Sequence, residues 1–237
     1  MPRQPRINLA NISQHVIQRG NNREPCFFNA DDYTMYLTKM AEYSKKFEVE
    51  IHAYVLMSNH VHMLLTPKVA NGISKFMQAL GRYYVQYINR TYGRSGTLWE
   101  GRYRAAVVGT DAYFLQVSRY IELNPVRSKL VHKPSDYPWS SYHHNAMENQ
   151  IDMITAHSSY LSLGKTQEDR KFTYCHFVNR TMPVSLVSQI RDYTNKSWAI
   201  GNEAFIEKIE KQLCRRVSPI YKTHNNYKTH GRSLTPT

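Results

Sequence analysis

The stretch Ser58-Asn59-His60-Val61-His62-Met63-Leu64-Leu65-Thr66 decides how this chain folds. The turn residues Ser58-Asn59 before an apolar run predict a strand that is entered from a tight turn. Successive side chains of a strand point to opposite faces, so His60 and His62 share a face, with Cα atoms about 6.5 Å apart, and Val61 takes the other. From that separation the histidine pair (His60 and His62) can converge on one divalent ion. The alternative is one packed and one solvent-facing histidine on an edge strand.

Patterns on both sides of this stretch predict the rest of a sheet. Alternating or apolar runs predict three further strands, at residues 12–19, 50–57 and 102–108. Apolar residues at intervals of three and four predict two helices, one opened by Asp31-Asp32 and one preceded by Asn71-Gly72. The order β-α-β-β-α-β is typical of the ferredoxin-like α+β fold, an antiparallel sheet with both helices on one face. We expect Val61, Met63 and Leu65 to face the helices, and the histidine pair to lie on the other, open face, where such sheets bind nucleic acid.

A third predicted helix follows the last strand, over residues 112–123, and ends at Asn124-Pro125 because proline disfavours helix at the residue before it. Tyr120 and Asn124 are four residues apart, so they lie on the same helix face, one turn from each other. Two imidazoles are too few for a structural metal site, which usually has four ligands; open positions are typical of a catalytic ion. Asn124 could add an amide oxygen, and Glu122 is another oxygen nearby, on a different helix face.

Tyr120 is the candidate nucleophile. A phenol has a pKa near 10, so its ionisation at neutral pH costs about 4 kcal/mol, which a metal ion and cationic neighbours would reduce. Attack on a DNA phosphate would give a covalent phosphotyrosine and a free 3′-hydroxyl. The linkage retains the phosphodiester energy, which agrees with the lack of a GxxxxGK[ST] nucleotide-binding segment in the sequence. The alternative is a packing role, since the chain has 18 tyrosines.

The charge of the chain indicates a polyanionic partner. Lys and Arg outnumber Asp and Glu by 31 to 18, a formal net charge of +13, and nucleic acid is the simplest partner for such an excess. A long apolar run and a signal-peptide pattern are both lacking, so we expect a soluble, cytoplasmic protein and no membrane partner. Basic residues near the predicted site are candidate DNA contacts, with a solvated strand face as the alternative for the fourth strand. These DNA-binding candidates are Arg19, Asn22, Arg23, Arg102, Arg104, Arg119 and Arg127.

The histidine pair and the later segment Arg119-Tyr120-Ile121-Glu122-Leu123-Asn124-Pro125-Val126-Arg127 together resemble the single-tyrosine HUH transposases. More narrowly, the chain resembles the REP-associated tyrosine transposases of bacteria, with further matching segments at residues 17–23, 98–104 and 136–142, and the resemblance runs from about residue 6 to residue 143. It implies cleavage and joining of single-stranded DNA through a 5′-phosphotyrosine on Tyr120, at hairpins formed by palindromic repeats.

The resemblance also implies the metal site and the setting. His60 and His62 would be metal ligands, Asn124 would occupy the position of the third ligand, and the ion would be Mg²⁺ or Mn²⁺. Ligand chemistry alone favours zinc or manganese, because imidazole suits the softer ions. The protein would act as a monomer or a homodimer and associate with the bacterial nucleoid.

The predicted organisation is an HUH transposase domain over residues 1–130, a connecting segment over 131–170, a helical C-terminal region over 171–221 and a flexible basic tail over 222–237. Two alternative functions stay open. One is a noncatalytic DNA-hairpin-binding protein or repressor on the same fold. The other is a metallohydrolase that uses water and not Tyr120.

Overall fold

The computed structural model describes residues 5–109 and 111–219 of the chain. Its centre is a four-stranded antiparallel sheet of β1 (Gln14–Arg19), β2 (Val49–Met57), β3 (His60–Pro67) and β4 (Arg104–Val107). The strand order is β2-β3-β1-β4, which is the ferredoxin-like arrangement. The longer helices are α1 (Ala30–Lys46), α2 (Gly72–Thr91), α3 (Asp111–Glu122), α7 (Gln167–Asn179), α8 (Val184–Lys196) and α9 (Glu203–Leu213). Short helices are α4 (Asn124–Arg127), α5 (Tyr142–Asn145) and α6 (Ser158–Leu161), with 3₁₀ turns at Asn21–Arg23 and Pro134–Asp136. The prediction of an α+β ferredoxin-like fold is confirmed.

The first face of the sheet packs against α1 and α2, as the alternation of β3 predicts. Val61, Met63 and Leu65 are buried there against residues of α1 such as Met40 and residues of α2 such as Phe76. Burying a large apolar side chain stabilises the fold by about 1.5–3 kcal/mol, and this cluster is the largest of the core. The outward alternate positions of β3 therefore carry the histidine pair to the opposite face.

The opposite face is covered, so the expectation of an open face is wrong. Leu64 of β3 packs in one cluster with Phe114, Val117 and Ile121 of α3 and with Ile190 of α8. Both helices carry apolar stripes that would otherwise face water, and the second face of the sheet is the surface that buries them. The histidine pair thus lies in a crevice between the sheet and α3 rather than on an exposed surface.

Several element ends differ from the prediction by one or two residues. β4 begins at Arg104, so Arg102 precedes the strand. The helix α3 ends at Glu122, and α4 begins directly afterwards at Asn124, with Pro125 in its first turn, where the missing N–H has no intrahelical partner to lose.

Segments that follow α4 cover both edges of the sheet. The N–H of Leu56 on β2 donates to the carbonyl of Trp139 (2.9 Å), and the N–H of Ile200 donates to the carbonyl of Val107 on β4 (2.8 Å). Covered edges leave fewer unpaired backbone groups for another chain. The four predicted segment boundaries stay predictions, and the predicted basic tail, residues 222–237, lies outside the described residues. No helix among the described residues is long and apolar enough to cross a membrane.

Candidate active site

The β1–β3 pairing positions the histidine pair. His60 lies across from Arg19 and His62 lies across from Ile17 in the antiparallel register. The ring centroids of His60 and His62 are 5.0 Å apart with planes at 79°, so both rings point into one space. His62 is 4% exposed, and His60 is half-buried at the start of the strand. The shared face predicted from the His-Val-His spacing is confirmed.

The packing of α3 on the sheet brings Tyr120 to this pair. Its ring centroid is 5.9 Å from that of His62, edge to face at 78°, and the side chain is 5% exposed. Val117 and Ile121 of the same helix are buried against the sheet, which fixes the direction in which the phenol points. Asn124, 7% exposed, begins α4 one turn beyond Tyr120. The structure therefore brings His60, His62 and Tyr120 together, and Asn124 follows four residues after Tyr120 along the chain.

Hydrogen bonds at the other ring nitrogens orient the histidine pair. The Nδ1 atom of His60 lies 2.6 Å from Oδ1 of Asn59, whose Nδ2 donates to the carbonyl of Arg23 at 3.0 Å. An amide oxygen only accepts, so His60 Nδ1 donates and its Nε2 keeps the lone pair. The Nδ1 atom of His62 is 2.9 Å from Nε2 of His15, a residue of β1 that the sequence analysis did not single out. The pair therefore presents its remaining nitrogens toward the crevice.

Burial keeps these imidazoles neutral. It lowers the pKa of His15 to about 3 and that of His60 to about 4, with smaller contributions from Arg127 and Arg19 respectively. Burial also lowers the pKa of His62 well below its ordinary value, helped by His60. A neutral imidazole is the form that binds a metal ion, so the site is prepared for one at neutral pH.

Arg127 supplies positive charge next to the candidate nucleophile. Its guanidinium carbon lies 4.0 Å from the centroid of the Tyr120 ring, a cation–π contact. Burial lowers the pKa of Arg127, and its Nη1 is enclosed without a partner in the described part of the chain. The predicted DNA contact Arg127 thus lies beside the phenol rather than on the outer surface.

A basic groove of about 680 Å³ adjoins the histidine pair. Its lining includes Ile17 and Arg19 of β1, which are the cross-strand partners of His62 and His60 on β3. Glu100 is an acidic residue of the lining. The cationic lining residues, which define the basic groove below, are Arg6, Arg19, Arg23, Arg102, Arg104 and Lys196. Four of the seven predicted DNA-binding residues therefore come together in one concave surface.

Two of the remaining predicted DNA contacts lie elsewhere. Asn22 is exposed in the 3₁₀ turn with a left-handed backbone (φ 52°) and does not line the basic groove. Arg119 is 3% exposed; it donates to the carbonyls of Val178 (3.3 Å) and Arg180 and lies over the ring of Phe177. The expectation of a phosphate contact for Arg119 is wrong, because adjacent helix positions are about 100° apart and this one faces α7 rather than the crevice.

Glu122 also points away from the histidine pair. Its carboxylate is 0% exposed and accepts hydrogen bonds from Ser141 Oγ (2.6 Å), Asn145 Nδ2 (2.8 Å) and the Tyr174 hydroxyl (2.8 Å). Burial raises the pKa of Glu122 to about 7, against these three bonds, which lower it. Glu122 is therefore not an oxygen ligand for the crevice; it connects α3 to α5 and α7.

The donor set fits a catalytic metal ion better than a structural one. Among the described residues, no group of three or more His, Cys, Asp or Glu side chains could hold a metal. The candidate donors are instead two imidazole Nε2 atoms, from His60 and His62, whose Nδ1 atoms have hydrogen-bond partners, and the carboxamide of Asn124. Such a set leaves coordination positions for substrate oxygens. The residues present thus fit the ion that the family resemblance implies.

Two comparisons with known proteins give matches. Residues 8–124 match the family model described as transposase IS200-like. A structure of a REP-associated tyrosine transposase bound to a REP hairpin superposes with a TM-score of 0.54, at 18% identity, over 67% of this chain and 96% of the other, which shows the fold. A transposase structure from Deinococcus radiodurans R1 gives 22% identity over 51% of this chain and 96% of the other, with a TM-score of 0.34. The comparison with curated proteins gives no match. The matching residues 8–124 include the four strands and His60, His62, Tyr120 and Asn124, so this part of the chain is similar to the IS200-like transposase family.

Proposed function

We propose that this protein is a metal-dependent endonuclease and strand transferase that cleaves and rejoins single-stranded, hairpin-forming repeat DNA through a 5′-phosphotyrosine. One observation carries the proposal. The ring of Tyr120 lies 5.9 Å from that of His62, which lies 5.0 Å from that of His60, all within one chain. A packing tyrosine needs no such neighbours, whereas a nucleophile needs a group that stabilises charge on the attacked phosphate.

In the proposed reaction, the hydroxyl oxygen of Tyr120 attacks a phosphorus atom of the DNA strand. The phenol loses its proton to solvent as a bond forms between its oxygen and phosphorus; the bond from phosphorus to the 3′ oxygen breaks, and that oxygen takes up a proton and leaves as a 3′-hydroxyl. His60, His62 and Asn124 would hold Mg²⁺ or Mn²⁺, which when bound polarises a phosphoryl oxygen and neutralises developing charge. Arg127, whose guanidinium carbon lies 4.0 Å from the centroid of the phenol ring, adds positive charge next to the nucleophile. Attack of a 3′-hydroxyl on the phosphotyrosine reverses the step, so joining requires no nucleotide cofactor.

The basic groove is the proposed path of the DNA. Its lining includes Arg19, the cross-strand partner of His60, and its six cationic side chains form a concave surface suited to phosphate contacts. The similar structure of a REP-associated transposase was obtained with a REP hairpin, which supports hairpins of repeat DNA as the substrate class. Chromosomal repeats as substrates would place the protein at the nucleoid. A monomer or a homodimer would both present this groove.

The test is a covalent-adduct assay with single-stranded repeat hairpins and Mn²⁺. We expect a protein–DNA adduct that peptide mapping assigns to Tyr120. Tyr120→Phe should lose both adduct and cleavage while still binding the hairpin, and His60→Ala should lose cleavage with the fold retained. Tyr113→Phe, on the same helix, is the matched control and should form the adduct.

Other outcomes distinguish the alternatives. Cleavage that persists in Tyr120→Phe would show that water is the nucleophile, as in a metallohydrolase. Hairpin binding without cleavage or adduct, with both metals and with several repeat sequences, would show a noncatalytic binder.

A further inference from the structure

We propose that Thr194 and His15 fix the tautomer of His62, so that its Nε2 lone pair faces the metal position. The chain of contacts runs from the carbonyl of Ile190 through Thr194 and His15 to His62, and is called the histidine relay below. The proposal rests on the proposed function in one respect: it takes His62 to be a metal ligand. It makes Thr194 and His15 positioning residues, which act through His62 and do not touch the ion.

The direction of the histidine relay follows from its first bond. The Thr194 hydroxyl lies 2.7 Å from the carbonyl oxygen of Ile190, one turn earlier in α8, and 2.8 Å from Nδ1 of His15. A carbonyl oxygen only accepts, and a hydroxyl has one hydrogen, so Thr194 donates to Ile190. The same hydroxyl must then accept from His15, which places the hydrogen of that ring on Nδ1.

The hydrogen bond between His15 and His62 then determines the tautomer of His62. A neutral His15 with its hydrogen on Nδ1 has a lone pair on Nε2, which is 2.9 Å from Nδ1 of His62. The His62 ring therefore donates from Nδ1 and keeps its own lone pair on Nε2. The His15 and His62 rings are nearly parallel, at 19° with centroids 5.1 Å apart, and both are buried, so neither can exchange the bond for water. If His15 carried its hydrogen on Nε2 instead, His62 would carry one on Nε2 and could not bind the ion there.

Because Thr194 lies in the C-terminal region, the histidine relay gives that region a role at the candidate site. Thr194 belongs to α8 (Val184–Lys196), beyond the residues 8–124 that match the family model. The helix α8 packs on the sheet through buried residues such as Ile190. A segment outside the matched region thus sets the hydrogen position of a metal-binding imidazole. Partners of this kind typically change metal affinity by about 10- to 100-fold when they are removed.

The experiment compares two substitutions at one position in the full chain. Thr194→Val removes the acceptor for His15, and we expect Mn²⁺ affinity, measured by calorimetry or EPR, to fall by about tenfold or more. Thr194→Ser keeps the hydroxyl and should retain wild-type affinity. Thr66→Val is the matched control, because its buried hydroxyl bonds Nε2 of His52 at 2.8 Å, away from the crevice. We expect Thr66→Val to lower the Tm without changing Mn²⁺ affinity.

A second measurement reads the tautomer directly. In metal-free wild-type protein, a long-range ¹⁵N–¹H correlation spectrum should show His62 and His15 each protonated on Nδ1, and Thr194→Val should disturb this state. A His62 protonated on Nε2 in the wild-type protein would overturn the proposal, as would a folded Thr194→Val with unchanged Mn²⁺ affinity. If Thr194→Val does not fold, the wild-type spectrum decides by itself. If the wild-type protein does not bind Mn²⁺, the proposed metal site is contradicted instead. The same holds if Mn²⁺ binding persists in His62→Ala.

Discussion

Replacing Arg102 and Arg104 together by alanine should weaken the salt dependence of DNA binding by a predictable amount. The basic groove contains six cationic side chains, these two included. Each single-strand phosphate that a cation neutralises contributes about −0.7 to the slope of log K against log[salt]. If all six contact phosphates, the wild-type slope is about −4, and affinity falls roughly 300-fold between 50 and 200 mM salt.

With two contacts removed, four remain. The slope should then be about −3, and the loss of affinity over the same salt range should be about 50-fold. The folded protein should tolerate the change, because Arg102 is exposed and Arg104, also exposed, makes one side-chain bond, to Asn195 Oδ1 at 3.1 Å. The difference between the two slopes is therefore a property of the groove and not of stability.

Fluorescence anisotropy of a labelled single-stranded oligonucleotide that forms no hairpin, titrated at four salt concentrations, measures both slopes. Lys45→Ala on α1 is the control, since this exposed lysine lies on the layer beyond the other face of the sheet, and its slope should match that of the wild type. A double variant that is folded by circular dichroism and keeps the wild-type slope would refute the argument that DNA follows this groove.

Further predictions concern stability. Glu122 has a raised pKa of about 7, so the folded carboxyl keeps its proton where the unfolded one has lost it, and its contribution to stability falls as pH rises from about 4.5 to about 7. In urea unfolding, the free energy of unfolding of Glu122→Gln should therefore rise relative to that of the wild type across this pH range, by up to about 3 kcal/mol. A difference between the two proteins that does not change with pH would contradict the conclusion that burial raises the pKa of Glu122. Arg119→Met should lower the free energy of unfolding by about 1.5–3 kcal/mol and leave the salt slope unchanged; the reverse result would restore Arg119 as a phosphate contact. Gly20→Ala should lower the Tm, at a cost of about 1–3 kcal/mol, because the new Cβ would overlap the carbonyl oxygen of Glu24; a Tm equal to that of the wild type would show that this turn can relax.

The sheet and its faces could be predicted because they depend on local periodicity. The alternation around His60 and His62 determines which residues meet α1 and α2, whatever the rest of the chain does. The cover over the other face could not be predicted in the same way. The helix α8 begins more than a hundred residues after β3, and an amphipathic stripe does not say which surface it will bury.

The same distinction between local patterns and long-range packing applies to the residues of the candidate site. Tyr120 and Asn124 could be placed because four-residue spacing determines a helix face, and the family resemblance added their roles. His15 was missed because its importance depends on the β1–β3 register, which joins strands some forty residues apart and leaves no local signal. The difference at Arg119 has a local cause: Arg119 is next to Tyr120 along the chain, but adjacent helix positions point about 100° apart, so the two side chains face different surfaces.

The position of Glu122 on the back of α3 constrains how copies of this protein can cooperate. For the phenol to serve a second subunit, its helix would have to leave its own body, and Glu122 would be parted from Ser141, Asn145 and Tyr174. Arg119 would lose its two carbonyl partners in the same motion. Leaving these buried groups without partners would cost several kcal/mol, so an α3 that served a second copy would have to replace that copy's own α3, where the same partners recur, in a reciprocal exchange.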